Sequence, residues 1–245
     1  MQAYQNKPSS KLLSAVILLV VESILCNPVR LNAQMLYSFN PPNSSRTAHA
    51  QYIRNLNQKI DPGEPEIKGS PYLNEAFVKG HVYSSIGNFS EIEMRYNIFY
   101  DYIEFMEKGQ RYALDPNILV QKIQLGDQTF VVDFLEEKGV STPMFLIRLD
   151  SGKVTLLSKK RLLFKEQQLG KPIEGDIPAS YNQLPDTYYY KVDNGPLLKV
   201  QNIKKMIAGF PDKKQELEEY AKKEKISSND PEELSQLIRY YNSLD

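Results

Sequence analysis

The carboxylates Asp101 and Glu104 are the residues whose type and spacing best suit catalysis in this sequence of 245 residues. They lie three positions apart, beside a predicted turn. Glycoside hydrolysis uses two carboxyl groups that face each other about 5 to 9 Å apart across a cleft. Spacing along the chain does not establish such a cleft. We therefore predict no catalytic residue in the leading hypothesis, and keep Asp101 and Glu104 as the pair for an alternative one.

A run of three tyrosines offers a second kind of chemistry, the binding of a ligand by aromatic rings. The sequence has 16 Tyr and no Trp, and the densest cluster is Tyr188, Tyr189 and Tyr190. Side chains alternate between the two faces of a strand, so at least one ring is expected to be exposed or at an interface. Tyr188 and Tyr190 are the candidate ligand-binding residues, through ring stacking. The simpler interpretation is that these rings pack within the sheet.

Other chemistries lack their residues or motifs. The sequence has one Cys and two His, His49 and His81, and it contains no Gly-x-Ser-x-Gly, Gly-x-Gly-x-x-Gly or P-loop motif. We predict neither a metal nor a cofactor. The 30 basic and 30 acidic residues balance, which gives no electrostatic reason to expect binding to nucleic acid.

The first 33 residues are typical of an export signal. Lys7 and Lys11 precede an apolar run at residues 12–21, which is shorter than the roughly 20 residues of a membrane-spanning helix. Ala33 supplies a small residue at the predicted cleavage position, so the mature chain would begin at Gln34. We expect an exported protein that is periplasmic, outer-membrane-associated or extracellular, with no integral membrane span after cleavage.

Two alternatives for this segment stay open. Cys26 could be the lipidated residue of a lipoprotein, although the bulky Leu25 directly before it is unusual for such sites. The segment could also be retained as an anchor. Cleavage after Ala33 would remove three basic residues and one acidic residue, leaving 27 and 29, and the mature chain would contain no Cys.

Three segments are predicted after the signal: a leader at residues 34–72, a β domain at 73–201 and C-terminal helices at 202–245. The leader is rich in Pro and shows no sustained periodicity. In the β domain, apolar and polar residues alternate most clearly at 91–98, where Arg95 and Asn97 fall on the face predicted to be exposed. Strands are predicted at residues 77–84, 91–98, 102–106, 119–125, 129–134, 144–149, 154–158, 162–165, 187–192 and 197–201.

Short connections between these strands favour antiparallel neighbours, since parallel ones need long crossovers. Lys159, Lys160 and Arg161 are interpreted as a solvated turn, and residues 166–185 as the one long internal loop. Helices capped by Asn202 and Asp230 flank a third that starts near Asp212. The predicted fold is α+β and mainly β: an antiparallel meander, as a twisted sheet, open barrel or two-layer structure, with amphipathic helices packed on it.

Four short motifs are distributed along the chain: Gly69-Ser70-Pro71-Tyr72-Leu73-Asn74, Met94-Arg95-Tyr96-Asn97, Tyr102-Ile103-Glu104-Phe105 and Tyr240-Tyr241-Asn242. Together they resemble an uncharacterised family of exported bacterial β-rich proteins of unknown function. The resemblance would cover about residues 69–244, and it implies a cell-envelope protein without transferring any catalytic residue.

The leading hypothesis is therefore a non-enzymatic binding or structural module that recognises an envelope protein or polysaccharide. The first alternative is an extracytoplasmic carbohydrate-active hydrolase that uses Asp101 and Glu104. The second is a lipid-carrying envelope protein, which would need a large dry cavity.

Overall fold

The computed structural model describes residues 67–85, 87–107, 109–114, 116, 120–169 and 175–244. The predicted signal peptide, Cys26, His49 and most of the leader lie outside the described residues. Ten strands and three helices form in the described part of the chain. The strands are β1 Val78–Ser84, β2 Gly87–Asn97, β3 Tyr102–Glu107, β4 Gln110–Leu114, β5 Val120–Leu125, β6 Gln128–Glu137, β7 Val140–Asp150, β8 Val154–Lys165, β9 Ser180–Val192 and β10 Leu198–Lys199, followed by helices α1 Ile203–Ala208, α2 Lys214–Glu224 and α3 Pro231–Asn242.

All ten strands belong to one antiparallel sheet, curled into a half-barrel, which confirms the predicted fold class. The strand order is β10-β9-β8-β7-β6-β5-β1-β2-β3-β4. The sheet thus consists of two meanders, β1 to β4 and β5 to β10, because β5 pairs with β1 rather than with β4. The β6–β7 hairpin closes through Lys138 and Gly139, whose φ angles of 51° and 78° are those of a tight type I′ turn.

Two predictions about the end of the sheet are wrong. Lys159, Lys160 and Arg161 do not form a turn but lie inside β8, which is one continuous strand. The predicted long loop is shorter, because β9 already begins at Ser180. Pro185 is tolerated in β9 because the register between β8 and β9 shifts next to it, and a bulge leaves a backbone position without a ladder hydrogen bond.

The predicted helices form and pack on β8 and β9. The side chains of Asn202 and Asp230 accept hydrogen bonds from the backbone N–H groups of α1 and α3, which confirms both as N-caps. The second helix begins after Lys213 rather than at Asp212. The helices share one buried cluster with the sheet, formed by Val154, Leu156, Tyr188, Tyr190, Met206, Ile207, Phe210, Leu217, Ala221, Ile226, Leu234, Leu237, Ile238 and Tyr241.

Strands β7 and β8 pair over only part of their length. Their register partners involve Ile147, Arg148 and Asp150 of β7, whereas β6 pairs with β7 from Val140 to Ile147 and β8 pairs with β9 along its whole length. Beyond Ser158, β8 therefore continues with β9 as a separate two-stranded extension. The side chain of Phe164 in this extension packs 6.2 Å, centroid to centroid, from Phe99 in the β2–β3 turn.

Candidate functional site

Residues 67–77, which we call the strap, connect two distant parts of the curled sheet. One end pairs with the beginning of β9 and the other with the end of β2, through the backbone hydrogen bonds Lys68 N to Ala179 O (2.9 Å), Tyr181 N to Lys68 O (2.8 Å), Leu73 N to Tyr96 O (3.0 Å) and Ile98 N to Pro71 O (2.8 Å). Gly69 has φ +79°, and a Cβ atom there would lie 2.6 Å from the carbonyl oxygen of Tyr181. This crossing therefore requires glycine.

A nearly buried ion pair lies beneath the strap. Arg95 of β2 and Glu104 of β3 are register partners, and the side chains are only 12% and 9% exposed. The Arg95 Nε and Nη2 atoms lie 2.8 and 2.7 Å from Glu104 Oε2. Such a pair is stable in a low-dielectric site only when its remaining polar atoms are also hydrogen-bonded.

Tyrosine hydroxyl groups complete the shell of Glu104. Its Oε1 atom accepts hydrogen bonds from Tyr72 of the strap at 2.8 Å and from Tyr102 at 3.2 Å. Burial and the negative charge of Glu104 raise the pKa of both tyrosines. Both hydroxyls stay protonated at neutral pH and act as donors to the carboxylate.

The guanidinium group of Arg95 is held by the strap as well as by Glu104. It lies 3.6 Å from the ring centroid of Tyr72 and 4.4 Å from that of Phe77, and Nη1 donates to the carbonyl oxygen of Glu75 at 2.8 Å. Two aromatic rings and a backbone carbonyl oxygen thus contact the guanidinium group in addition to Glu104. We call Tyr72, Arg95, Tyr102 and Glu104 the strap clamp.

Asp101 belongs to a different cluster. It forms an ion pair with Lys159 of β8 and accepts a hydrogen bond from the hydroxyl group of Tyr96 at 2.8 Å. Lys159 Nζ also lies 3.2 Å from the Tyr96 hydroxyl oxygen and 3.1 Å from the carbonyl oxygen of Phe145. Burial lowers the pKa of Lys159, although the charge of Asp101 opposes the shift. Three acceptors surround one ammonium group, so its donors are used within the fold.

The two candidate carboxylates do not converge. Arg95 and Tyr96 are consecutive in β2 and therefore point to opposite faces of the sheet. Arg95 binds Glu104 on one face, and Tyr96 binds Asp101 on the other. Each carboxylate is paired with a cation, Glu104 with Arg95 and Asp101 with Lys159.

The three consecutive tyrosines are all buried, so none of the three rings is exposed to solvent. Tyr188, Tyr189 and Tyr190 are 9%, 6% and 4% exposed. Tyr188 and Tyr190 face the helices, and the Tyr190 ring lies 5.8 Å from that of Phe210. Tyr189 packs on the other face in a smaller cluster with Met144, Leu146, Leu157 and Leu197. Both faces of β9 are covered here, and Tyr188 and Tyr190 belong to the core.

Sequence reasoning did not single out Arg95 or Lys159 as members of a site. The alternation in β2 predicts that Arg95 and Asn97 are exposed, yet Arg95 lies under the strap and Asn97 is 0% exposed. The only signal was indirect: the strap clamp draws its residues from three of the four motifs that carry the family resemblance. The motifs come together only because the strap lies across β2 and β3, and this contact is not visible in the sequence of any one motif.

Within the described ranges, no three or more His, Cys, Asp or Glu side chains are grouped so that they could hold a metal ion. None of the helices in the described part of the chain is both long and apolar enough to cross a membrane. No family model matches the chain, and no curated protein or solved structure is significantly similar to it. The family resemblance of the four motifs therefore stays a prediction.

Proposed function

We propose that this chain is an exported cell-envelope protein that works as a non-enzymatic binding module. The observation that carries the proposal is the position of its exposed apolar side chains. Six large apolar residues are exposed in the described part of the chain, and five belong to two hairpins that are neighbours in the sheet. They are Phe134 and Val140 on the β6–β7 hairpin, and Leu163, Leu169 and Ile177 on β8 or its connection to β9.

The degree of exposure supports a contact surface. Leu169, Val140 and Ile177 are 85%, 61% and 60% exposed, although the same sheet buries Tyr188 to Tyr190 on both of its faces. Large apolar side chains that stay exposed on neighbouring hairpins of one sheet support a site that binds another macromolecule. The expected partner is an envelope protein that offers a complementary apolar surface.

The polar clusters fit a supporting role in this proposal. Glu104 and Asp101 are engaged by Arg95 and Lys159, so they hold the sheet and strap in place. No specific observation favours the hydrolase alternative. The lipid-carrier alternative likewise has none, since the rings of Phe130 and Phe145 pack against Tyr96 in the sheet interior at 5.0 and 6.3 Å.

Site-specific photo-crosslinking in the source cell tests the proposal. A photoreactive amino acid would replace Phe134 or Leu169, and, as a control, the exposed Glu218 on α2. We expect one discrete protein adduct from the first two positions and none from Glu218. Equal labelling from all three positions, or none from Phe134 and Leu169 in folded protein, would contradict a binding surface on these hairpins.

A further inference from the structure

The partial pairing of β7 with β8 leaves a strand edge that a second chain could use. Residues 140–146 of β7 pair with β6 on one side, and no described strand pairs with them on the other. Residues 140–142 are exposed and Pro143 is half-buried, whereas Met144, Phe145 and Leu146 are buried, so the accessible part of this edge lies at residues 140–143. Unpaired backbone donors and acceptors along such an edge favour strand pairing between molecules.

The direction of the backbone groups follows from two contacts. Ile147 is the register partner of Ser158 in β8, and the carbonyl oxygen of Phe145 accepts a hydrogen bond from Lys159 Nζ. Residues two apart in a strand direct their N–H and C=O groups to the same side. The backbone groups of Ser141, Pro143 and Phe145 therefore all face the open side.

Two of these positions cannot serve an incoming strand. Pro143 has no N–H, so the donor in the middle of the edge is missing, and the ladder with β6 loses nothing because that nitrogen faces away from it. The Phe145 carbonyl is already occupied by Lys159, and Asp101 holds this lysine in place. An added strand would pair with an interrupted row of groups.

The corresponding edge of β8 is covered in another way. The β2–β3 turn packs against the β8 extension through Phe99 on Phe164 and through Asp101 on Lys159. Of the two edges created where β7 and β8 separate, that of β7 has no strand partner among the described residues.

We infer that Pro143 and Lys159 protect the open edge of β7 against strand pairing with a second copy of this chain. Proline and lysine are residues that sheet proteins use on exposed edges for this purpose. Both act through the same row of backbone groups, so their effects should combine.

The test compares the full chain carrying Pro143→Thr with the wild type and with Pro196→Thr, a matched change at an exposed proline before β10. Light scattering across a concentration series gives the mass. We expect Pro143→Thr to self-associate at a concentration about tenfold lower than the wild type, as one restored backbone hydrogen bond allows. Infrared spectra should show the added intermolecular strands, and Pro196→Thr should match the wild type.

A folded Pro143→Thr variant that associates no more readily than Pro196→Thr overturns the inference. A variant that loses cooperative unfolding also contradicts it, because an N–H directed away from β6 should not disrupt the fold. Lys159→Met provides an independent arm, since a side chain without a donor frees the Phe145 carbonyl. The double variant should associate at a lower concentration than either single one, and its failure to do so also counts against the inference.

Discussion

The side-chain amide of Asn242 pairs with both backbone polar groups of Val154. Its Oδ1 accepts from the Val154 N–H at 2.9 Å, and its Nδ2 donates to the Val154 carbonyl oxygen at 3.1 Å. The amide thus takes the place of a neighbouring strand at the first residue of β8. Because Asn242 is the last residue of α3, this contact fixes the end of the helix on the sheet.

Replacing Asn242 with Ala should destabilise the fold. Val154 is fully buried, so its N–H and C=O groups would lose their partner without gaining water, at a cost of about 1–3 kcal/mol in the free energy of unfolding. Urea unfolding followed by circular dichroism measures the change. The exposed Asn229→Ala serves as the control, and equal stability of the two variants would show that the Asn242 contact contributes nothing.

Removing the charge of Glu104 should cost more than removing the whole ion pair. Glu104→Gln leaves the guanidinium of Arg95 nearly buried without a counter-ion, which we expect to cost roughly 3–5 kcal/mol. The double change Arg95→Met with Glu104→Met removes both charges and should destabilise less. Chemical unfolding of the three proteins provides the comparison.

An exposed ion pair supplies the control for that series. Lys79 and Glu91 lie 2.9 Å apart with side chains 67% and 63% exposed, so Lys79→Met should leave stability unchanged within error. A double variant that is less stable than Glu104→Gln would show that the unpaired charge of Arg95 is not the main cost of losing Glu104.

The lowered pKa of Lys159 predicts a pH dependence of stability. The folded chain gives up this proton at a lower pH than the unfolded chain does, so the unfolded state binds more protons over that interval. The contribution of Lys159 to stability should therefore rise as the pH increases towards 10.5, the unshifted pKa of lysine. Lys159→Gln should flatten this rise in pH-dependent urea unfolding. An unchanged slope, equal to that of the exposed Lys204→Gln, would be inconsistent with a buried ammonium group.

The tyrosines of the two clusters predict the opposite trend at higher pH. Burial is the main cause that raises the pKa of Tyr72, Tyr96 and Tyr102 above the ordinary value of 10.0. Above that pH these residues ionise in the unfolded chain while they remain protonated in the folded one. Stability should fall accordingly. Tyr72→Phe should make the fall shallower, whereas the same steepness in the variant would contradict the raised pKa of Tyr72.

Local sequence patterns correctly predicted the strands and helices that are buried on one side only. The alternation of Met94 and Tyr96 with polar neighbours identified β2, and Asp230 followed by Pro231 identified the start of α3. In both cases the signal lies within a few residues, and burial on one side suffices to explain it.

The incorrect predictions share one cause: a segment that is distant in the sequence changes the surroundings of the residue. Lys159 and Lys160 can occupy a strand because Asp101 and Asp186 supply carboxylates. Arg95 is covered by the strap, and Tyr188 and Tyr190 by the helices. The sequence therefore predicted the motifs of the candidate site but not their spatial arrangement, because long-range contacts bring the motifs together.

The proposed role depends first on export, and the mass of the native protein tests this most directly. Intact-mass measurement and N-terminal sequencing of the chain purified from each fraction of the source cell would locate both the protein and its first residue. We expect a chain that begins at Gln34 in the envelope or extracellular fraction. A chain in the cytosol that still begins with Met1 would contradict it.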